Sequence, residues 1–184
     1  MKFLNFKSCI AALGLLIVSI NGMAQSATVT FSGAVNAATC FITLSTSSGS
    51  TTSASTLSLT LPTVSTTALT SNATAGKTSF YMGVSGCTAG TALTPNLYLS
   101  SSSVTGGYLV SGVTNLVFEL LDSTSTTVSL TAIPVSKATF TVPTTTTTTT
   151  AYSSQFFIQY RANGAAVTAT GSPTATLTVS LLYS

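Results

Sequence analysis

Near its N-terminus the chain reads ATVTFSGAV from Ala27 to Val35. Successive side chains of a β-strand point to opposite faces, so Val29, Phe31, Gly33 and Val35 share one face of this segment. Thr, Ser and Ala occupy the other face. A strand with large apolar residues on one face needs a groove in which to bury them, because an exposed apolar strand is an aggregation site.

The last residues of the chain repeat this pattern. In the segment Thr176–Ser184, one face carries Leu177, Val179, Leu181 and Tyr183, so an aromatic residue lies next to the terminal one. The local pattern alone favours two ordinary strands of a closed sandwich over strands that need a groove to fill. The combination of these strands with the positions of the cysteines is what separates the two interpretations.

The residues between these two segments predict an all-β fold. Runs rich in Thr, Val, Tyr and Phe alternate with a period of two residues, and none keeps the 3.6-residue period of a helix. Turn residues such as Gly106-Gly107 and Asn163-Gly164 separate them, and many short strands at this spacing predict a β-sandwich. The predicted strands are Thr28–Val35, Thr56–Leu61, Ser79–Val84, Asn96–Leu99, Asn115–Leu121, Lys137–Val142, Gln155–Tyr160 and Thr174–Tyr183.

Three stretches rich in Ser and Thr interrupt the strands. Ser45–Ser55 and Ser123–Thr127 are predicted to be polar loops. Thr144–Thr150 is an unbroken Thr tract, which we interpret as a surface loop or a frayed strand extension. An O-glycosylated, mucin-like tract is the alternative interpretation.

The scarcity of charge excludes several classes of function. Charged residues make up 4% of the chain, with five Lys+Arg, two Asp+Glu and no His, whereas an average soluble domain has about a quarter. Imidazole bases and His-bound metals are therefore absent, and two carboxylates are too few for an acidic Ca²⁺ cage. Five cations are too few to neutralise a phosphate backbone. We predict no cofactor, no metal and no nucleic-acid partner.

The few charges also argue against an enzyme. Glu119 and Asp122 are three residues apart on a strand, so they face opposite sides and do not form an acid–base pair. Asp122 is better placed to cap a turn before Ser123. Lys77 and Arg161 are lone cations that we expect to be solvated or paired at the surface.

The N-terminus has the features of a secretory signal. Lys2 and Lys7 form a basic region, Ser8–Ile20 is apolar, and small residues precede a cleavage site after Ala24. An uncleaved anchor helix is the weaker alternative, because the apolar stretch is shorter than the ~20 residues that span a bilayer.

Removal of this signal takes Cys9 away and leaves Cys40 and Cys87. In an exported chain an isolated pair of cysteines predicts a disulfide. Closing a loop of about 47 residues stabilises the fold by roughly 4 kcal/mol in the chain-entropy model. Two buried free thiols are the alternative, which an oxidising compartment disfavours.

Several short motifs follow one another in a specific order over residues 29–183. They are VTFSGAV with NAATC (29–40), LPTV (61–64), FYMGVSGC (80–87), LVFELLD (116–122), FIQY (157–160), ANGAA (162–166), Gly171 and Tyr183. Together they resemble the pilin subunits of the chaperone–usher pathway, in particular the type 1 fimbrial family. The Ser/Thr-rich insertions, the short tail before Val29 and the lack of charge depart from the family's pattern.

The resemblance implies an incomplete immunoglobulin-like β-sandwich that lacks its last strand and is completed by donor-strand exchange. In such pilins a periplasmic chaperone lends a strand to the last strand of the subunit, here Thr174–Tyr183. Basic residues of the chaperone hold the terminal carboxylate, here that of Ser184. At the outer-membrane usher, the N-terminal extension of the next subunit replaces the chaperone strand, which joins identical or related pilins into a linear polymer.

The resemblance also assigns roles to individual residues. Val29, Phe31 and Val35 are expected to enter groove pockets of the preceding subunit, and Gly33 to lie where the groove is shallow. The groove strand, which the chaperone pairs with, carries Leu177, Val179, Leu181, Tyr183 and Ser184. The Cys40–Cys87 bridge is expected to tie the start of the body to a core strand and to hold the groove rim. The expected division is a signal peptide at 1–24, a donor-strand extension at 25–36 and a pilin domain at 37–184.

The predicted function is that of a structural fimbrial subunit at the cell surface, which supports cell adhesion. After signal cleavage no stable membrane insertion is expected. A minor or adaptor pilin, or a tip-associated adhesive pilin, is the alternative within the same pathway. A full tip adhesin would need a receptor-binding domain before the pilin domain, for which we expect no room. An unrelated secreted β-sandwich domain is the weakest alternative.

Overall fold

The computed structural model describes residues 24–35, 40–52, 54, 56–87, 95–139 and 151–183. The predicted signal peptide before Ala24, the Thr144–Thr150 tract and Ser184 lie outside these residues. The strands are β1 (Ala24–Val35), β2 (Phe41–Ser45), β3 (Thr56–Ser65), β4 (Thr74–Ser85), β5 (Pro95–Ser100), β6 (Val104–Thr105), β7 (Tyr108–Val110), β8 (Leu116–Leu121), β9 (Val135–Thr139), β10 (Tyr152–Ala162) and β11 (Thr174–Tyr183). A single 3₁₀ turn over Thr66–Ala68 follows β3.

The strands form two sheets. The first, which we call the front sheet, has the order β3-β1-β11-β5-β9. The second, the back sheet, has the order β2-β4-β10-β8-β7-β6. The prediction of an all-β sandwich is therefore confirmed.

The inward faces of the two sheets form one apolar core. Along β10 the buried side chains alternate with half-buried ones, which is the period-two pattern expected from its sequence. Phe80 of β4 occupies the centre, with its ring 4.4 Å from that of Phe31 in β1 and 6.0 Å from that of Phe156 in β10. The aromatic contact between Phe31 and Phe80 joins the two sheets.

Each of the eight strands expected from alternation overlaps a strand of the described part of the chain, although residues 140–142 of the expected strand Lys137–Val142 lie outside that part. The described residues also contain three strands that alternation does not predict. β2 was missed because Ile42, Thr43 and Leu44 are buried consecutively, so the strand does not alternate. β6 and β7 are a short hairpin whose turn is Gly106-Gly107, both with positive φ. The glycines predict the turn, but strands of two and three residues are too short to show a period of two residues in the sequence.

Two irregularities in the ladders lie close to the N-terminal half of β1. Between Gln25 and Ala27 the pairing of β1 with β3 shifts: one residue of β1 separates the pairs Gln25–Val64 and Ala27–Leu61, whereas Pro62 and Thr63 separate them on β3. Proline cannot donate to a ladder and is tolerated at such bulges. In the back sheet, the pairing of β10 with β4 shifts between Ile158 and Tyr160.

No helix long and apolar enough to cross a membrane occurs among the residues that the structure describes.

Candidate functional site: the groove and the strand that fills it

The apolar N-terminal segment lies between β3 and β11, in the front sheet. β1 pairs with β11 in parallel, from Thr28 opposite Thr174 to Val35 opposite Leu181. On its other side it pairs antiparallel with β3. We call the channel between β3 and β11 the groove. The sequence left open whether an isolated chain fills this groove by itself, and in this structure the chain's own N-terminal strand occupies it.

The inward face of β1 is completely buried where its side chains are described. Val29 and Phe31 are fully shielded from solvent, and Ala27 is almost so, whereas Thr28, Thr30 and Ser32 are half-buried on the other face. Burial of a Val or Phe side chain stabilises a contact by about 1.5–3 kcal/mol. The expected alternation is thus present, and Val29 and Phe31 fill pockets between the sheets.

The same holds for the groove strand. Leu177, Val179 and Leu181 of β11 are fully buried. Phe31 lies beside Leu177 in the ladder, and Gly33 lies beside Val179. The backbone of Tyr183 pairs with that of Pro95. The side chains of Val35 and Tyr183 are outside the described part of the chain, so their predicted roles stay predictions.

One fully buried aromatic residue was not singled out by the sequence analysis. The ring of Tyr160 in β10 lies 5.7 Å from that of Phe118 in β8, and its hydroxyl lies near the backbone of Ala27 in β1. Burial raises the pKa of Tyr160 to about 12, against a partly opposing effect of the Ala27 contact. The only sequence signal was an aromatic residue with a polar tip at an inward position of a predicted strand.

The two mature cysteines form the expected disulfide. Cys40, which precedes β2, is bonded to Cys87, which follows β4, and both are buried. Phe41, which follows Cys40, pairs in the back sheet with Ser85, which lies two residues before Cys87. The bridge therefore fixes the first residue of the body to the end of a core strand, just after the chain has left β1.

The two carboxylates have separate sets of hydrogen-bond partners. Glu119 is buried in β8 and accepts hydrogen bonds from Thr127 Oγ1 at 2.7 Å and Gln159 Nε2 at 2.9 Å. Arg161 forms an ion pair with Glu119, with 3.3 Å between Nη1 and Oε1. Of the two states expected for Arg161, solvated or paired, the structure therefore shows the paired one. The sequence did not foresee the burial of Glu119, because Arg161 and Gln159 cover it from the neighbouring strand.

The other charged side chains that the structure describes, Asp122 and Lys77, also contact neighbouring residues. Asp122 caps the expected turn, since its Oδ1 accepts hydrogen bonds from the backbone N–H groups of Thr124 and Thr126 at 2.8 and 2.9 Å. The Thr124 hydroxyl and the Thr126 backbone hold the pKa of the Asp122 carboxyl below its usual value. Lys77 donates to Ser125 Oγ at 2.7 Å and lies 4.0 Å above the Phe157 ring. In these contacts the charged side chains stabilise a turn and pack against neighbouring strands.

The described residues offer little else that could hold a small ligand. No group of three or more Cys, Asp or Glu side chains gathers in the part of the chain covered by the structure. A polar cleft of about 210 Å³ lies beside the start of β11, with Val110 and the segments 101–103 and 174–176 as its walls. Of the described residues, those of the groove are therefore the candidate functional site.

A family model described as "Fimbrial protein" matches residues 29–184, which is most of the chain. Among solved structures, the P pilus rod subunit PapA is similar, with 16% identity, a TM-score of 0.58, and coverage of 80% of this chain and all of that one. A type I fimbria protein of Burkholderia pseudomallei is 20% identical over 79% of this chain and 90% of its own, with a TM-score of 0.46. A tip adhesin from Pseudomonas aeruginosa is 9% identical over 71% of this chain and 38% of its own, with a TM-score of 0.44. No curated protein sequence matches the chain.

The likeness to PapA concerns the fold alone at this level of identity, and it agrees with the immunoglobulin-like sandwich expected from the sequence. The family match begins at Val29, inside β1, and runs to the last residue, so it includes both strands of the groove ladder. The chain therefore belongs to the fimbrial protein family, whose subunits are exported to the cell surface and built into fimbriae.

Proposed function

We propose that this chain is a structural subunit of a fimbria and that it polymerises by donor-strand exchange. Val29, Phe31, Gly33 and Val35 of one copy would fill the groove of the preceding copy. The observation that carries the proposal is the position of β1: a strand from the extreme N-terminus of the described chain completes the sandwich core from between β3 and β11.

A strand in this position can be exchanged without loss of backbone pairing. β1 is the first strand that the structure describes, and only residues 36–39 separate it from the disulfide at Cys40. An identical strand from a second copy would present the same side chains to the same pockets and the same backbone groups to both ladders. Such addition of a strand between chains combines backbone hydrogen bonds for affinity with pockets for specificity.

Backbone pairing with the two walls of the groove does not determine the direction in which a strand is inserted. β1 is parallel to β11 and antiparallel to β3, so the two walls run antiparallel to each other. A strand inserted in either direction therefore makes one parallel and one antiparallel ladder. The side-chain pockets, rather than the backbone, must select the direction and the register.

The proposal includes a periplasmic chaperone and an outer-membrane usher as partners. With β1 withdrawn, the edges of β3 and β11 and a row of apolar side chains would be exposed, and such edges pair with other chains. A chaperone that lends a strand to β11 through Leu177, Val179 and Leu181, and that holds Tyr183 and Ser184 at the chain end, would protect them. Family membership suits this structural role better than a catalytic one.

The test of this function is electrophoresis in SDS of material sheared from the cell surface, with and without boiling. We expect a ladder of multimers that collapses to one band only after heating, because a buried strand resists the detergent at room temperature. A single monomer band under both conditions would contradict donor-strand polymerisation and favour an unrelated secreted domain.

Replacement of Gly33 by Leu is expected to stop polymerisation while chaperone binding is retained. The resemblance places Gly33 where the groove is too shallow for a side chain, and its backbone lies beside Val179 in the ladder. The measurement is the length of surface fimbriae by electron microscopy together with co-purification of the chaperone. Ala34→Leu, on the opposite face of the strand, is the matched control and should assemble. Fimbriae of normal length from Gly33→Leu would show that the assumed register is wrong.

A further inference from the structure

The connection from β10 to β11, which we call the crossover (residues 163–173), begins with the sequence Asn163-Gly164. Both residues are exposed, and Gly164 has a φ of +78°, which glycine adopts without strain. Outside the predicted signal, no other asparagine of the chain is followed by glycine. Asparagine is a chemically labile residue, and a following glycine makes it more so, because glycine has no side chain to hinder ring closure between the two residues.

Deamidation at such a pair requires no enzyme. A base removes the amide proton of Gly164, and the nitrogen attacks the side-chain carbonyl carbon of Asn163. The new N–Cγ bond forms, the Cγ–Nδ2 bond breaks, and ammonia leaves. Water then opens the cyclic imide to aspartate or to isoaspartate. Amide hydrogen exchange begins with the same base-catalysed loss of the proton, so a hydrogen bond that protects Gly164 from exchange also protects Asn163 from this reaction.

Two residues of the connection between β3 and β4 hold the Gly164 peptide group in this structure. The N–H of Gly164 donates to Oδ1 of Asn72 at 3.2 Å, and the Ser71 hydroxyl donates to the carbonyl oxygen of Gly164 at 2.8 Å. We call Ser71 and Asn72 the clamp. Asn72 has a φ of +59°, a conformation that Asn adopts more readily than most other residues with a side chain. The proton that the reaction must remove is therefore engaged in a hydrogen bond.

The backbone of Asn163 is fixed, whereas its side chain is available for reaction. The N–H of Asn163 donates to the carbonyl oxygen of Asn115 at 2.9 Å. Its carboxamide makes no hydrogen bond within the part of the chain that the structure describes. Since the residue is exposed, water and hydroxide also reach it. The hydrogen bond from Gly164 to Asn72 is thus the contact that opposes the first step.

We propose that Asn163 is a deamidation site of this chain and that Asn72 sets the rate of the reaction by holding the amide proton of Gly164. Aspartate would add a carboxylate to a chain in which 4% of the residues are charged. Isoaspartate would also insert one carbon into the backbone of the crossover, which leads into the groove strand β11 at Thr174. This chemistry does not depend on donor-strand exchange, so a missing SDS-resistant ladder would leave it unaffected.

The test is peptide mapping by mass spectrometry after incubation of the exported chain at mildly alkaline pH, once folded and once in denaturant. The replacement of NH₂ by OH appears as a mass gain in the peptide that contains Asn163, and chromatography separates its aspartate and isoaspartate forms. We expect the folded wild type to deamidate about tenfold more slowly than the denatured chain or slower still, because the clamp must open first. Equal rates in the two states would overturn the proposal.

The variant Asn72→Gly removes the acceptor and keeps a residue that suits the positive φ. We expect Asn163 to deamidate about fivefold faster or more in this variant, because one hydrogen bond is lost. Asn115→Gly is the matched control, since Asn115 has a φ of +60° and its side chain donates to the carbonyl oxygen of Ala166 at 3.2 Å. This control should change the rate by less than about twofold. Equal acceleration in both variants would show that the whole crossover, rather than Asn72, controls the reaction.

Amide hydrogen exchange measured by NMR supplies a second readout. In Asn72→Gly the amide of Gly164 should exchange faster by the same factor as deamidation, because both reactions need the same proton. Asn72→Asp keeps an acceptor oxygen and tolerates the positive φ, so it should retain the wild-type protection in both measurements. Faster deamidation with unchanged exchange of Gly164 would overturn the proposal. If Asn72→Gly does not fold, Ser71→Ala, which removes the other bond of the clamp, should change both rates in the same direction.

Discussion

Replacement of Phe31 by Ala is expected to lower the free energy of unfolding of the exported monomer by about 3–5 kcal/mol, the usual cost of deleting a buried Phe side chain. Phe31 is fully buried, and its ring lies 4.4 Å from that of Phe80. Phe80 in turn stacks on Phe156, so the deletion leaves a cavity in the middle of the aromatic core. Because these rings cannot close the gap without shifting the sheets, we expect the upper part of the range.

Phe31→Ala should loosen β1 more than it destabilises the rest of the fold. Phe31 is the largest side chain that the described part of β1 contributes to the core, so its loss weakens the hold of β1 in the groove most. We expect the N-terminal strand to become accessible to a protease of broad specificity and the groove to bind a hydrophobic dye. Chemical denaturation measures the first effect, and proteolysis and dye fluorescence measure the second.

The control for this experiment is Thr30→Ala on the other face of the same strand. Thr30 is half-buried, and its replacement should change the stability by about 0.5 kcal/mol or less. If Phe31→Ala were as stable and as resistant to protease as Thr30→Ala, the strand in the groove could not be held by its inward side chains. The donor-strand proposal would then lose its physical basis.

Replacement of Cys87 by Ser is expected to cost roughly 4 kcal/mol, from the loss of a closed loop of 47 residues. Both cysteines are buried, so the serine hydroxyl would also be placed in an apolar site. For a domain whose net stability is about 5–15 kcal/mol, the loss leaves a marginal fold. Denaturant unfolding of the purified chain measures it, and reduction of the wild type should lower stability by a similar amount.

The second readout of this variant is capture by the chaperone. The bridge fixes the chain where it passes from β1 to the back sheet, and we proposed that it holds the rim of the groove. A Cys87→Ser chain should therefore escape chaperone capture and be degraded. Capture at the wild-type level would argue against this role. Cys9→Ser, which lies in the predicted signal, should leave the exported protein unchanged.

Much of the fold follows from the sequence because alternation is a local property. The inward positions of β10 and the apolar faces of β1 and β11 can each be read within one segment. The partner and direction of a strand are not local. The apolar face of β1 predicts that this strand is buried. The sequence does not predict that β11 runs parallel beside β1, or that the chain fills its own groove.

Two side chains show the same limit at the level of the site. Tyr160 has an ordinary pattern in the sequence, and its complete burial goes with the close approach of Gly76 from β4, where a Cβ would lie 2.7 Å from the ring. For Glu119, strand geometry predicts only that it faces away from Asp122. Its burial, however, depends on Gln159 and Arg161 of the adjacent strand, which are about forty residues away in sequence.

The connection between β1 and the body has a kinetic consequence for assembly. Only residues 36–39 lie between Val35 and Cys40, so the chain's own strand is presented to its groove at an effective concentration on the order of millimolar. A donor strand on a second copy at about micromolar concentration would lose this competition by roughly a thousandfold. Self-closure and chain growth are therefore rival outcomes. Growth requires that another protein occupy the edge of β11 before β1 folds back, and that the donor be delivered beside the groove rather than found by diffusion.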